Sequence, residues 1–65
     1  MKITVNEQEM EIGPTTTVDG LLESLSYPEQ GIAVAVDGAL VPRSQWDSVL
    51  PDGARVEVVT AVQGG

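Results

Sequence analysis

The 65-residue chain contains no cysteine, no histidine and no phenylalanine. Without cysteine there is no disulfide framework, no thiolate nucleophile and no cysteine-based zinc site. Without histidine there is no imidazole for general acid–base work near neutral pH. With one Trp, one Tyr and no Phe, Val, Ile, Leu and Met must fill the core. A chain this short buries only ~60% of the surface its unfolded form exposes, so it forms one small domain at most. Basic residues are also scarce. Lys2, Arg43 and Arg55 stand against ten acids, for a formal net charge of −7. Phosphate-backbone binding needs cations that release counterions, so no nucleic-acid partner is expected, and no anionic membrane surface. The acids are scattered, which suits a solvated face attracted to basic protein surfaces. No clustered carboxylate loop suggests a metal site.

Long apolar runs are absent too. The opening Met-Lys-Ile-Thr-Val-Asn-Glu-Gln-Glu-Met has no apolar stretch behind a basic start. No segment approaches the ~18 apolar residues of a membrane span. A cytoplasmic location is the resulting expectation.

Local patterns give an element order. Ile3 and Val5 alternate with Lys2, Thr4 and Asn6, and Met10 and Ile12 alternate with Glu9 and Glu11. Two half-buried strands joined at Asn6-Glu7 make an antiparallel hairpin, although Asn-Gly would be the stronger turn signal. Gly13-Pro14 ends it. Thr17 is the expected N-cap of a helix, with Asp19 in its first turn. Val18, Leu21, Leu22 and Leu25 form its apolar stripe. Gly20 is its weak point, and Tyr27-Pro28 ends it. The run Gly31 to Val36 predicts a strand buried on much of both faces. Asp37-Gly38 turns the chain into a short strand at Leu40-Val41, kept to an edge by Pro42. Ser44 is expected to cap a helical turn over Gln45 to Leu50, with Trp46 and Val49 packing. After the Pro51-Asp52-Gly53 turn, Arg55 to Ala61 is the last strand, with Val56 and Val58 on one face. The order is ββαβ, an edge strand with a helical turn, then β.

Few groups invite chemistry. Arg43 and Ser44 read either as a small anion-binding corner or as an exposed cation beside a cap. Trp46 reads either as a partner anchor or as a cover for a core without Phe. Glu7, Glu9 and Glu11 fit a solvated strand face. The terminal Gly64-Gly65 pair has two readings as well. Chain ends are commonly loose. Alternatively, residues without Cβ can enter a narrow channel in any backbone conformation. From Ala61 to Gly65 an extended tail reaches roughly 17 Å. That distance would put the α-carboxylate inside another protein's active site. A free carboxylate is a poor acyl donor, and an acyl-adenylate made with ATP would be a good one.

From end to end the chain resembles the ThiS family, the sulfur carriers of thiamine thiazole biosynthesis. The resemblance is carried by Met1 to Asn6, by Thr17-Val18 with Leu21-Leu22, and by Gly31-Ile32-Ala33-Val34-Ala35-Val36. It continues through Val41-Pro42-Arg43-Ser44-Gln45-Trp46, Arg55 to Val59, and Ala61-Val62-Gln63-Gly64-Gly65. Asn6-Glu7 stands where members often have Asn-Gly, and Ser26-Tyr27-Pro28 replaces a common Gly-containing helix exit.

The resemblance implies an α+β, ubiquitin-like β-grasp fold, a mixed sheet wrapped around one helix. It implies a single sulfur-carrier domain over residues 1–65 with a flexible Gly-Gly tail. It further implies that the protein is no enzyme but a co-substrate without a bound cofactor. A ThiF-type adenylyltransferase using MgATP would adenylate the carboxylate of Gly65. A cysteine desulfurase or other sulfur donor would convert it to a thiocarboxylate, and a ThiG-type thiazole synthase would take the sulfur. Gly64, Gln63 and Val62 would thread the partner's channel. The exposed side of the last strand, near Val59 and Ala61, leads to the tail and is expected to contact the partner; the other reading of Val59 is a core residue. The free protein is expected to be a monomer. Rival readings are a β-grasp carrier for molybdopterin, cysteine or tRNA thiolation, a ubiquitin-like interaction module with an inert tail, and an acidic decoy.

Overall fold

The computed structural model describes residues 1–60. Strand β1 (Lys2–Val5) and strand β2 (Gln8–Glu11) form the expected hairpin. Its register pairs Ile3 with Met10 and Val5 with Gln8. Asn6 and Glu7 both take positive φ, 48° and 70°. Two central residues with positive φ are what a two-residue type I′ loop requires, so this turn forms without its usual glycine.

Helix α1 (Val18–Ser24) starts at Thr17, whose Oγ1 accepts from the Gly20 amide at 3.0 Å. The amides of Val18 and Asp19 donate to the carbonyls of Ser48 and Trp46, so three of the four orphan donors of the first turn are satisfied. Gly20 has a reason to be there. A Cβ at this position would stand 3.2 Å from the capping hydroxyl. The helix exit also explains itself. Ser26 adopts φ 64°, Tyr27 N–H donates to Leu22 and Ser26 N–H donates to Glu23. This is a Schellman ending with serine in the left-handed position that glycine usually fills. The apolar stripe stops earlier than the spacing predicts, because Leu25 is the C-cap and is 36% exposed.

Strand β3 (Ile32–Val36) and strand β4 (Ala39–Leu40) form a second hairpin. β4 begins one residue before the expected Leu40-Val41 pair and excludes Val41. Asp37 and Gly38, with φ 51° and 86°, make its turn. Burial of β3 on both faces is not found. Val34 is buried, whereas Ala33 is exposed and Ala35 half-buried. One helix covers one face of the sheet, so the other face stays open.

The short helical turn also differs from expectation. It is a 3-10 turn at Arg43–Gln45, and Pro42, not Ser44, sits at its N-cap without a side-chain bond. Val49 is 54% exposed, so it does not pack as expected. Its backbone bridges to Thr17 instead. Trp46 and Leu50 supply the packing from this segment.

Strand β5 (Arg55–Thr60) completes the sheet, in the order β2-β1-β5-β3-β4. It runs parallel to β1 and antiparallel to β3. A mixed five-stranded sheet around one helix is the β-grasp arrangement that the resemblance implies. Ile3, Val5, Val34, Val56 and Val58 of the sheet cluster with Val18, Leu21 and Leu22 of the helix. The Asp52 carboxylate accepts from the Lys2 amide and Gly53 N–H donates to the Lys2 carbonyl, fixing where β1 begins against β5.

Candidate functional site

The residues expected to carry the chemistry, Gly65 with Gly64, Gln63 and Val62, lie outside the described residues, as does Ala61. What is described is the platform from which they depart. β5 is the middle strand of the five, and Thr60 is its last residue. The expected end of the strand at Ala61 falls beyond the description.

The two faces of β5 differ. Val56 and Val58 point into the core, at 0% and 7% exposure. Arg55, Glu57 and Val59 alternate onto the open face, where Val59 is 63% exposed. Of the two sequence readings of Val59, partner contact or core, the core is therefore excluded. Register fills in its neighbours. Val59 pairs with Ala33, and Ala35 lies between Glu57 and Leu40. Leu40 is 75% exposed. Val59, Ala33, Ala35 and Leu40 thus make a small apolar patch at the tail end of the open face, bordered by the Glu57 carboxylate. Leu40 carried no sequence signal for this, because only the pairing register reveals which face it joins.

The platform has a second feature, at the end of the β1–β5 pairing. The β1–β5 register ends at Val5–Val56, with Asn6 N–H donating to the Val56 carbonyl at 2.9 Å. There the β1 backbone turns away into its hairpin. The Asn6 side chain carries on in its place. Its Oδ1 accepts from the Val58 amide at 2.9 Å, and its Nδ2 donates to the Val58 carbonyl at 3.2 Å. A longer contact, 3.4 Å, joins Nδ2 to the Tyr27 hydroxyl.

Arg43 and Ser44 do not form an anion-binding corner. Arg43 lies 4.6 Å from the Trp46 ring centroid. Its Nη1 donates to the Glu29 carbonyl at 2.5 Å, and its Nη2 is 3.9 Å from the Glu29 carboxylate. The cation is thus engaged in holding the loop after α1. Trp46 is 6% exposed and donates from Nε1 to the Val41 carbonyl at 3.1 Å, so it closes the core and is no exposed anchor. An open groove of about 520 Å³ lies beside the first hairpin, lined by Asn6, Glu9, Met10, Leu25 and Tyr27 among others. No helix among the described residues is long and apolar enough to cross a membrane.

The ThiS family model matches residues 1–65. The sulfur carrier protein ThiS of Escherichia coli (strain K12) is 35% identical over 66 aligned positions, with both chains covered in full. A thiazole synthase of Paramagnetospirillum magneticum is 32% identical over the whole of this chain, which spans 20% of that longer protein. The crystal structure of the thiamine biosynthesis protein ThiS from Geobacter metallireducens superposes with a TM-score of 0.83 at 26% identity, covering both chains in full.

Proposed function

The chain belongs to the ThiS family and is a sulfur carrier of thiamine biosynthesis, and from that premise we propose that the carboxylate of Gly65 is the group that bears the sulfur. A carrier is consumed and regenerated as a substrate, so it is not an enzyme and needs no catalytic set of its own. The observation that supports Gly65 is the end-to-end match, which runs through the terminal glycine pair. No cysteine competes for the role.

The chemistry is as follows. In a ThiF-type adenylyltransferase, a Gly65 carboxylate oxygen attacks the α-phosphorus of MgATP and pyrophosphate leaves. The acyl-adenylate has AMP as its leaving group. A sulfur nucleophile attacks the acyl carbon and expels AMP. With hydrosulfide the product is the thiocarboxylate directly. With a desulfurase persulfide it is an acyl disulfide, which a thiol cleaves to the thiocarboxylate. The acceptor is a ThiG-type thiazole synthase. This choice rests on the Paramagnetospirillum thiazole synthase, one stretch of which is similar to this entire chain. ATP and magnesium belong to the activating enzyme, and the carrier holds no cofactor. The reactions take place in the cytoplasm.

Val62, Gln63 and Gly64 thread the partner's channel, where side-chain-free glycine lets the backbone pass. Val59, with Ala61 following it, leads the docking surface, and the exposed Leu40 and Ala33 extend it. The test is intact mass after incubation with a ThiF-type enzyme, MgATP and sulfide. The expected result is a gain equal to exchanging one oxygen for one sulfur, localised to Gly65 and lost when Gly65 is deleted. No gain, with an activating enzyme proven on its own carrier, overturns this reading in favour of another pathway or an inert module.

A further inference from the structure

We infer that Asn6 is a positioning residue for activation: its side-chain amide stands in for a missing peptide group of β1 and holds in place the end of β5, the strand to which residues 61–65 are joined. The inference rests on the carrier reading given above.

β1 flanks β5 only as far as Val56. In a parallel ladder the next two bonds to β1 would engage the N–H and the C=O of Val58. No backbone is present to make them, because the chain has turned at Asn6-Glu7. A carboxamide has the same acceptor and donor as a peptide group. Asn6 presents both to Val58, at 2.9 and 3.2 Å. The residue also has to adopt φ 48°, which asparagine tolerates better than other residues with a Cβ. One side chain therefore makes the hairpin turn and extends the ladder by two bonds.

The position of those bonds matters. Val58 is two residues before Thr60, after which the tail begins. Beyond Val58, β5 pairs with β3 alone, through Val59–Ala33 and Thr60–Ile32. Loss of the Asn6 bonds would leave the last four residues of β5 held on one side. The position of Thr60, to which residues 61–65 are joined, would become less fixed. The docking patch of Val59, Ala33, Ala35 and Leu40 stays anchored by the β3 ladder, through Val59–Ala33 and Ala35–Leu40. Docking and delivery of the carboxylate are then separable. Misplacement of a reacting group by about 1 Å can cost on the order of a hundred-fold in rate, so a partial loosening is expected to cost on the order of ten-fold.

The test uses the full chain with Asn6→Gly and Asn6→Asp. Glycine keeps the left-handed turn and removes both bonds. Aspartate keeps the acceptor for the Val58 amide and loses the donor to its carbonyl. Adenylation is followed as pyrophosphate release by a ThiF-type enzyme with MgATP, with folding checked by circular dichroism. Amide exchange at Val58 is read in parallel. The expected result is a folded Asn6→Gly chain with faster Val58 exchange, KM within about two-fold of wild type and kcat down on the order of ten-fold. Asn6→Asp should fall between the two. A purely structural role would leave kcat of the folded variant at the wild-type value, and that result overturns the inference. So does a loss confined to KM. If Asn6→Gly fails to fold, Asn6→Asp decides by the same criteria. A wild-type chain that is not adenylated refutes the carrier reading itself, and the positioning role falls with it. Wild-type adenylation with unchanged variants refutes the positioning role alone.

Discussion

Replacing Val59 by aspartate should separate docking from folding. Val59 is 63% exposed, so folding covers roughly a third of it. Full burial of a valine is worth about 1.5–3 kcal/mol, which leaves ~0.5–1 kcal/mol at stake here. Loss of the β-branched side chain from a strand adds at most ~1 kcal/mol. The new carboxylate shares a face with Glu57, which adds a few tenths more, on the order of a poor cross-strand pair. The total of ~1–2 kcal/mol is tolerable for a domain whose stability is about 3–10 kcal/mol at this length. Docking is more exposed to the change. Covering the remaining two-thirds of Val59 against a partner is worth ~1–2 kcal/mol. Burying an unpaired carboxylate there costs more again. A loss of at least 2 kcal/mol corresponds to roughly thirty-fold in Kd. The assay is titration calorimetry against the activating enzyme, alongside thermal melting. Val58→Asp is the contrasting variant, because Val58 is 7% exposed and a charge there should prevent folding. Wild-type affinity for Val59→Asp, or its failure to fold, would refute the assignment of this face as the docking surface.

Two further outcomes concern stability. Glu7→Gly should raise it by about 0.5–1 kcal/mol, since Glu7 holds φ 70° at ~1–2 kcal/mol of strain and glycine's extra chain entropy offsets part of the relief; a lower melting temperature would contradict the type I′ assignment. Trp46→Ala should cost ~3–5 kcal/mol in urea denaturation followed by circular dichroism, because it empties a 6%-exposed site and orphans the Val41 carbonyl. A loss under 1 kcal/mol would show that Trp46 is no part of the core.

Much of the fold was legible because its signals are local. The alternation around Ile3 and Val5, the Thr17 cap and the Asp37-Gly38 turn each act within a few residues, and each is found. Errors came where the deciding contact is distant or absent. The apolar run of β3 resembles a strand buried on both faces, yet only its pairing in a one-helix fold shows that Ala33 faces outward. Ser44 has the chemistry of a cap, but the turn begins one residue earlier, at Arg43, with Pro42 at the N-cap and no side-chain bond there. The departures from glycine at Glu7 and Ser26 proved harmless to geometry, since both residues adopt the left-handed conformation at some cost in strain. For the candidate site, the tail was legible as sequence, and Val59 was legible as one of two options that exposure then resolved. Asn6 was not, since its partner Val58 is 52 residues away and no spacing rule connects them.

The central place of β5 has a mechanical meaning. Any partner that draws on the tail pulls along β5 from Thr60, while the bonds to β1 and β3 lie across that direction. Such a load is a shear, shared by the ladders on both sides at once. Had the tail sprung from an edge strand and been pulled sideways, the ladder would have peeled one bond at a time. On the proposed reading, in which partners grip the carrier by its end, tension on that handle loads the ladders in shear and does not unzip the body.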